Sequence, residues 1–166
     1  FAEEKKSKTF ALLLSSPIHL VEIIVGKFLA CMIVIGLMIL LSAYSTGYLM
    51  LVGNPEMGPV ITGYLGILLM TGCYVAMGLF ASSLTDNQII AAVISFGLAL
   101  FMWIIGWGSQ AAGSGLGQLF EYLSLITHLE HFLKGLISSS DIVYYLSFIL
   151  FGLFLTYRVL ESSRWR

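Results

Sequence analysis

The residues best suited to chemistry are His128, Glu130 and His131, which stand close together in the last third of the chain. Imidazole and carboxylate groups are typical zinc ligands, so the cluster raises the hypothesis of a metal site. The His-x-x-His spacing, however, has no convincing third ligand beside it. The alternative is that His128 and His131 line the polar face of a helix. The sequence favours that alternative, and we expect no bound metal.

The motifs that carry hydrolytic chemistry are missing. Gly26-Lys27 is followed by Phe28, and no glycine stands five residues before Gly26, so no phosphate-binding loop is formed there. The glycines around Gly113 lack the strand–turn–helix context of such a loop. GxSxG and HExxH motifs are also absent. We therefore expect a chain that is not an enzyme, binds no cofactor, and draws any energy it needs from contact with another protein.

The composition excludes an ordinary soluble domain. Of the 166 residues, 58% are hydrophobic and only 10% are charged, whereas a soluble domain is about 25% charged. A water-exposed globule of this size could not bury so much apolar surface. The net charge of −1 gives no indication of a nucleic-acid partner. We predict an all-α, polytopic membrane helix bundle in contact with the lipid bilayer.

Four apolar runs are long enough to cross the bilayer, which takes about 20 residues in a helix. Turn-forming residues separate the runs. Small residues at four-residue spacing within them, such as Gly72 and Ala76, are expected to let helices approach closely. Cys31 and Cys73 are predicted to be small buried hydrophobic side chains. The predicted spans are 28–52, 60–84, 89–107 and 142–160.

The distribution of lysine and arginine predicts the orientation. Four spans place both ends of the chain on one side, and seven of the eight basic residues belong to that side, with only Lys134 on the other. Both ends are therefore expected to be cytoplasmic. Inside the spans only Arg158 is charged, and it can extend to the inner surface; ion-coupled transporters usually carry charged groups at membrane depth. The basic residues of the inner side are Lys5, Lys6, Lys8, Lys27, Arg158, Arg164 and Arg166.

Two further segments are predicted to be helical without crossing the membrane. Residues 3–16 begin with charges and continue with apolar residues, which is typical of an interfacial helix. Ser16 and Pro17 then suit the N-cap and first position of the next helix. Residues 108–141 carry amphipathic stripes and are expected to form one or two helices in the outer leaflet, after which Asp141 or a preceding serine caps the last span.

The run from Glu3 to Pro17 closely resembles a signature of ABC-2 type permeases, in which a charged segment, a threonine, a leucine pair and a proline form the cytoplasmic coupling region. Residues 22–28, 82–88, 131–135, 141–145 and 160–165 are similar to other parts of the same family, nearest to its gliding-motility-associated and related bacterial members. The resemblance implies that residues 1–27 contact an ABC ATPase. The residues it singles out are Glu3, Glu4, Lys5, Lys6, Lys8, Thr9, Leu13, Leu14 and Pro17.

The resemblance also implies the assembly. Family members have six spans, so the four here would be the third to the sixth, and a chain that starts at Phe1 without a signal peptide is expected to be N-terminally incomplete. Two permease subunits, identical or different, would pair with two ATPases that bind ATP and magnesium, in a bacterial plasma (inner) membrane. An accessory membrane or periplasmic subunit is a further possible partner.

Two alternatives stay open at this point. The charged run at residues 3–8 could be a solvated face attracted to anionic lipid instead of a coupling element. The chain could also be a non-transporting anchor or assembly subunit, or a channel or secondary transporter, although the nearly charge-free spans argue against the last of these. The sequence does not identify a substrate.

Overall fold

The computed structural model of the protein describes residues 1–7, 18–53, 56–111 and 116–164. These residues form helices and no strand, which confirms the all-α prediction. The helices are α1 (Ala2–Lys6), α2 (Leu20–Val52), α3 (Met57–Leu84), α4 (Gln88–Ala111), α5 (Leu116–Leu123), α6 (Leu125–Leu133) and α7 (Ser139–Arg164).

Four of these helices are long and apolar enough to span a membrane: α2, α3, α4 as far as Gly108, and α7 as far as Ser162. Each contains one of the predicted spans, so the prediction of a four-span bundle is confirmed. The 33 residues of α2 measure about 50 Å at 1.5 Å per residue. A bilayer core is only about 30 Å thick, so α2 extends beyond the hydrocarbon.

The start of α2 differs from the expectation of a helix that begins at Pro17. The first helical residue is Leu20, and His19 is the N-cap. The His19 backbone N–H donates to the Glu22 carboxylate at 3.2 Å, which satisfies a donor that the first turn leaves without a helical partner. Glu22 therefore sets the helix start, while Ser16 and Pro17 lie outside the described residues.

The centre of the bundle is the contact between α3 and α7, where small residues bring the backbones together. A Cβ atom added to Gly72 would lie 2.9 Å from Ile149 Cδ1, and one added to Gly152 would lie 3.0 Å from Ala76 Cβ. The predicted role of Gly72 and Ala76 in close packing is confirmed. Cys73 is buried beside them, as predicted, but Cys31 is exposed because most of α2 faces outward.

The short helices α5 and α6 pack across one end of the bundle, in the segment predicted to hold amphipathic helices. Leu125 and Phe132 of α6 are fully buried. The Thr62 hydroxyl of α3 donates to the Phe132 carbonyl at 2.6 Å, and the Tyr145 hydroxyl of α7 donates to the Leu125 carbonyl at 2.7 Å. Both ends of α6 are thus held by spanning helices.

Candidate functional site

The candidate site lies at the opposite end of the bundle, where α1 crosses the ends of three spanning helices. Phe1 shares a hydrophobic cluster with Ile24 of α2, Leu79 of α3 and Leu160 of α7. Burial of these apolar groups holds α1 against the bundle. The two ends of the described chain therefore lie on the same side, as an even number of spans requires.

Polar contacts attach α1 to the last turn of α3 and to the connection between α3 and α4. The Ala2 backbone N–H donates to Ser82 Oγ at 3.0 Å. Lys5 Nζ donates to the Ser83 carbonyl at 2.6 Å and lies 3.7 Å from Asp86 Oδ1. The Lys5 side chain is only 13% exposed, so these contacts hold a cation that is largely withdrawn from solvent. These contacts connect α1 to the C-terminal end of α3.

A second ion pair connects α1 to α2. Lys27 Nζ lies 2.5 Å from Glu4 Oε1 and 4.4 Å from the centre of the Phe1 ring. Both side chains of the ion pair are partly shielded from solvent, which makes the attraction stronger than that of an exposed pair. Lys27, singled out in the sequence as an orientation residue, therefore also joins two helices.

The other side of α1 carries exposed residues. Glu3, Lys6 and Ser7 are exposed, and Ser7 Oγ donates back to the Glu3 carbonyl at 2.9 Å. The predicted coupling residues thus separate into two groups. Glu4 and Lys5 face the bundle, whereas Glu3 and Lys6 face away from it.

The other residues singled out in the sequence lie either near the α1 end of the bundle or outside the described residues. The side chain of Arg158 is exposed, and it donates to the Glu161 carboxylate at 3.3 Å. Arg158 also lines a cavity of about 530 Å³ with Lys5, Ser83 and Ser162. Arg164 is the last residue of α7. Lys8, Thr9, Leu13, Leu14, Pro17 and Arg166 lie outside the described residues.

Sequence reasoning missed the partners of α1 at the C-terminal end of α3 and in the connection that follows it. The sequence indicates only a resemblance to the family at residues 82–88, yet Ser82, Ser83 and Asp86 contact α1. It also missed the contacts of Asp141, which the sequence indicates only as a candidate helix cap, with both His128 and His131. Within the described part of the chain, no group of three histidine, cysteine, aspartate or glutamate side chains is arranged to hold a metal ion.

Comparison with known proteins places the chain in a family. No curated protein and no solved structure matches it. The sequence model described as "ABC-2 family transporter protein" matches residues 1–157, nearly the whole chain. Together with four helices fit to cross a membrane, this match shows that the chain belongs to the ABC-2 transporter family as a multi-pass membrane component.

Proposed function

We propose that the chain is the permease part of an ATP-driven exporter, and that a separate ABC ATPase drives it by pushing on α1. The observation that carries this proposal is the two-sided arrangement of α1. One side is fixed to the bundle through Glu4 and Lys5, and the other side presents Glu3 and Lys6.

The inward contacts give a physical route for the push. Lys5 is tied to the end of α3, and Glu4 is tied to Lys27 of α2. A displacement of α1 would therefore move α2 and α3 together, and α3 in turn packs tightly on α7 through Gly72 and Gly152. Closely packed helices transmit such a displacement as rigid bodies, because their interiors compress very little.

The outward side suits contact with another protein. Glu3 and Lys6 supply one charge of each sign on an exposed surface, and complementary charges at an interface fix partner and register. The excess of basic residues at this end supports a cytoplasmic location for it. A bacterial plasma membrane, a second permease subunit and ATP with magnesium on the ATPase belong to the same proposal.

The test compares two pairs of charge removals in the full-length permease purified with its ATPase. Glu3→Ala with Lys6→Ala is expected to reduce ATP hydrolysis by the complex at least tenfold, with the unfolding temperature of the permease unchanged. The matched control is Glu130→Ala with Lys134→Ala, an exposed pair with a 3.8 Å contact at the other end of the bundle. The control should keep full ATP hydrolysis.

Lys5→Met tests the inward side. We expect this variant to keep the ATPase bound but to lower ATP hydrolysis by the complex, because the push no longer reaches α3. If no ATPase co-purifies with the unmodified permease, the exporter proposal is wrong, and the anchor or channel alternatives take its place. Equal hydrolysis by the two charge-removal variants would exclude α1 as the coupling element.

A further inference from the structure

Asp141 joins two histidines at the end of the bundle opposite α1. It stands in the first turn of α7 and is 2% exposed. Its Oδ1 lies 2.6 Å from His128 Nδ1, and its Oδ2 lies 2.9 Å from His131 Nδ1. Both oxygens of one buried carboxylate are therefore occupied by imidazole nitrogens from α6.

The two rings differ in what faces their second nitrogen. His128 Nε2 lies 3.2 Å from the carbonyl oxygen of Tyr122, close to the C-terminal end of α5. A carbonyl oxygen and an ionised carboxylate can only accept hydrogen bonds. His128 makes both bonds only when both of its nitrogens carry protons, which is the cationic form. His131 needs a proton on Nδ1 alone and is 47% exposed.

The surroundings of the His128 ring favour a cation. Its ring stacks on Tyr144 with centres 4.1 Å apart, and an aromatic face attracts a cation. The C-terminal end of a helix, here that of α5 with the Tyr122 carbonyl, also favours positive charge. The ring lines a cavity of about 240 Å³ together with Glu121 and Asp141. The negative charges of these two carboxylates stabilise a cationic imidazole ring.

His131, which shares the Asp141 carboxylate, is the one described neighbour whose protonated form would oppose this charge. Glu130 of α6 is paired with Lys134 at 3.8 Å. The helix α4 carries no charged residue or histidine in its sequence. The remaining titratable side chains that face the ring, among the described residues, are His131 of α6, Glu121 and Tyr122 of α5, Tyr144 and Tyr145 of α7, and, behind Tyr145, Cys73 of α3.

We propose that His128, with Asp141 and the Tyr122 carbonyl, is a proton-binding site that links α5, α6 and α7. With the proton bound, one ring joins the end of α5 to the start of α7. Loss of the proton leaves a ring that can donate to only one of the two acceptors, so one of the two links is lost. The proton therefore controls how firmly α5 and α6 pack on the spanning helices.

Proton binding itself does not depend on the proposed export function. Only its physiological meaning rests on that proposal: with α1 in the cytoplasm, the site faces the outer compartment and responds to the pH there. The sign of the pH dependence follows from the hydrogen bonds that the cationic form of His128 makes. Its extra hydrogen bond exists in the folded protein, so the stabilisation is present where the ring is cationic, at low pH, and is lost where the ring is neutral, at high pH.

The test measures the unfolding temperature of the purified full chain between pH 6 and pH 8.5. Asparagine places an amide donor near the position of Nδ1 and does not titrate, so His128→Asn is the test variant. We expect the unmodified protein to lose roughly 3–6 °C more than this variant over the pH interval. The controls His131→Asn and His19→Asn should lose as much as the unmodified protein.

The proposal would be overturned if the unfolding temperature of His128→Asn depended on pH as strongly as that of the unmodified protein. It would also be overturned if only His131→Asn lost the pH dependence. Hydrogen exchange of residues 116–133 in the unmodified protein gives a second readout that does not require the variant to fold. After correction for the intrinsic effect of pH, exchange should be several-fold faster at pH 8.5 than at pH 6. No difference in corrected exchange would also overturn the proposal.

Discussion

Gly66 lies on α3 directly against α6, where even one extra methyl group has no space. A Cβ atom at this position would stand 2.7 Å from Phe132 Cβ and 2.9 Å from Leu129 Cδ1. Phe132 is fully buried and its carbonyl is bonded to Thr62, so it cannot turn aside cheaply. Gly66→Ala must therefore shift α6 away from α3. Forced overpacking of this kind costs about 1–3 kcal/mol.

A matched control stands on the same helix. Gly78 has no neighbour within 4 Å of an added Cβ atom, so Gly78→Ala should be neutral or raise the stability of the helix by up to about 1 kcal/mol. Thermal unfolding of the purified full chain in one detergent measures both. We expect Gly66→Ala to lower the unfolding temperature by roughly 3–10 °C and Gly78→Ala to leave it level or higher. The same unfolding temperature for the two variants would refute the packing of α6 on α3.

Two hydrogen bonds to α6 can be removed in the same assay. Tyr145→Phe deletes the buried bond to the Leu125 carbonyl and should cost about 0.5–1.5 kcal/mol; an unchanged unfolding temperature would show that α7 does not hold α6. Thr62→Val deletes the bond to the Phe132 carbonyl and should cost a similar amount, whereas Thr71→Val, whose hydroxyl bonds only within α3, should cost less. Equal losses for the two threonine variants would contradict this assignment.

The membrane architecture could be predicted from the sequence because it follows from local composition. Each spanning helix is an apolar run bounded by turn-forming residues, and these signals need no knowledge of tertiary contacts. The first and last residues of each helix were harder to predict, because a helix can continue through polar residues beyond the hydrocarbon. The helix α2 begins at Leu20, where the Glu22 carboxylate caps it, well before the predicted span at residue 28.

The candidate site could be predicted only in outline. The charged run at residues 3–8 identified the segment, but five charges in six positions do not show which of them face the bundle. The inward position of Lys5 depends on the carbonyl of Ser83, 78 residues away. Likewise, Asp141 lies 13 residues from His128 and 10 from His131 along the chain, and the fold brings it into contact with both.

We propose that the exposed side of α1 touches the ATPase. A photo-crosslinking amino acid at position 6 of the full-length permease tests this contact directly in membranes that contain the ATPase. We expect a crosslink to the ATPase from position 6 and none from position 134, which is equally charged in the native chain but lies at the other end of the bundle. A crosslink from position 134, or none from position 6, would contradict the account.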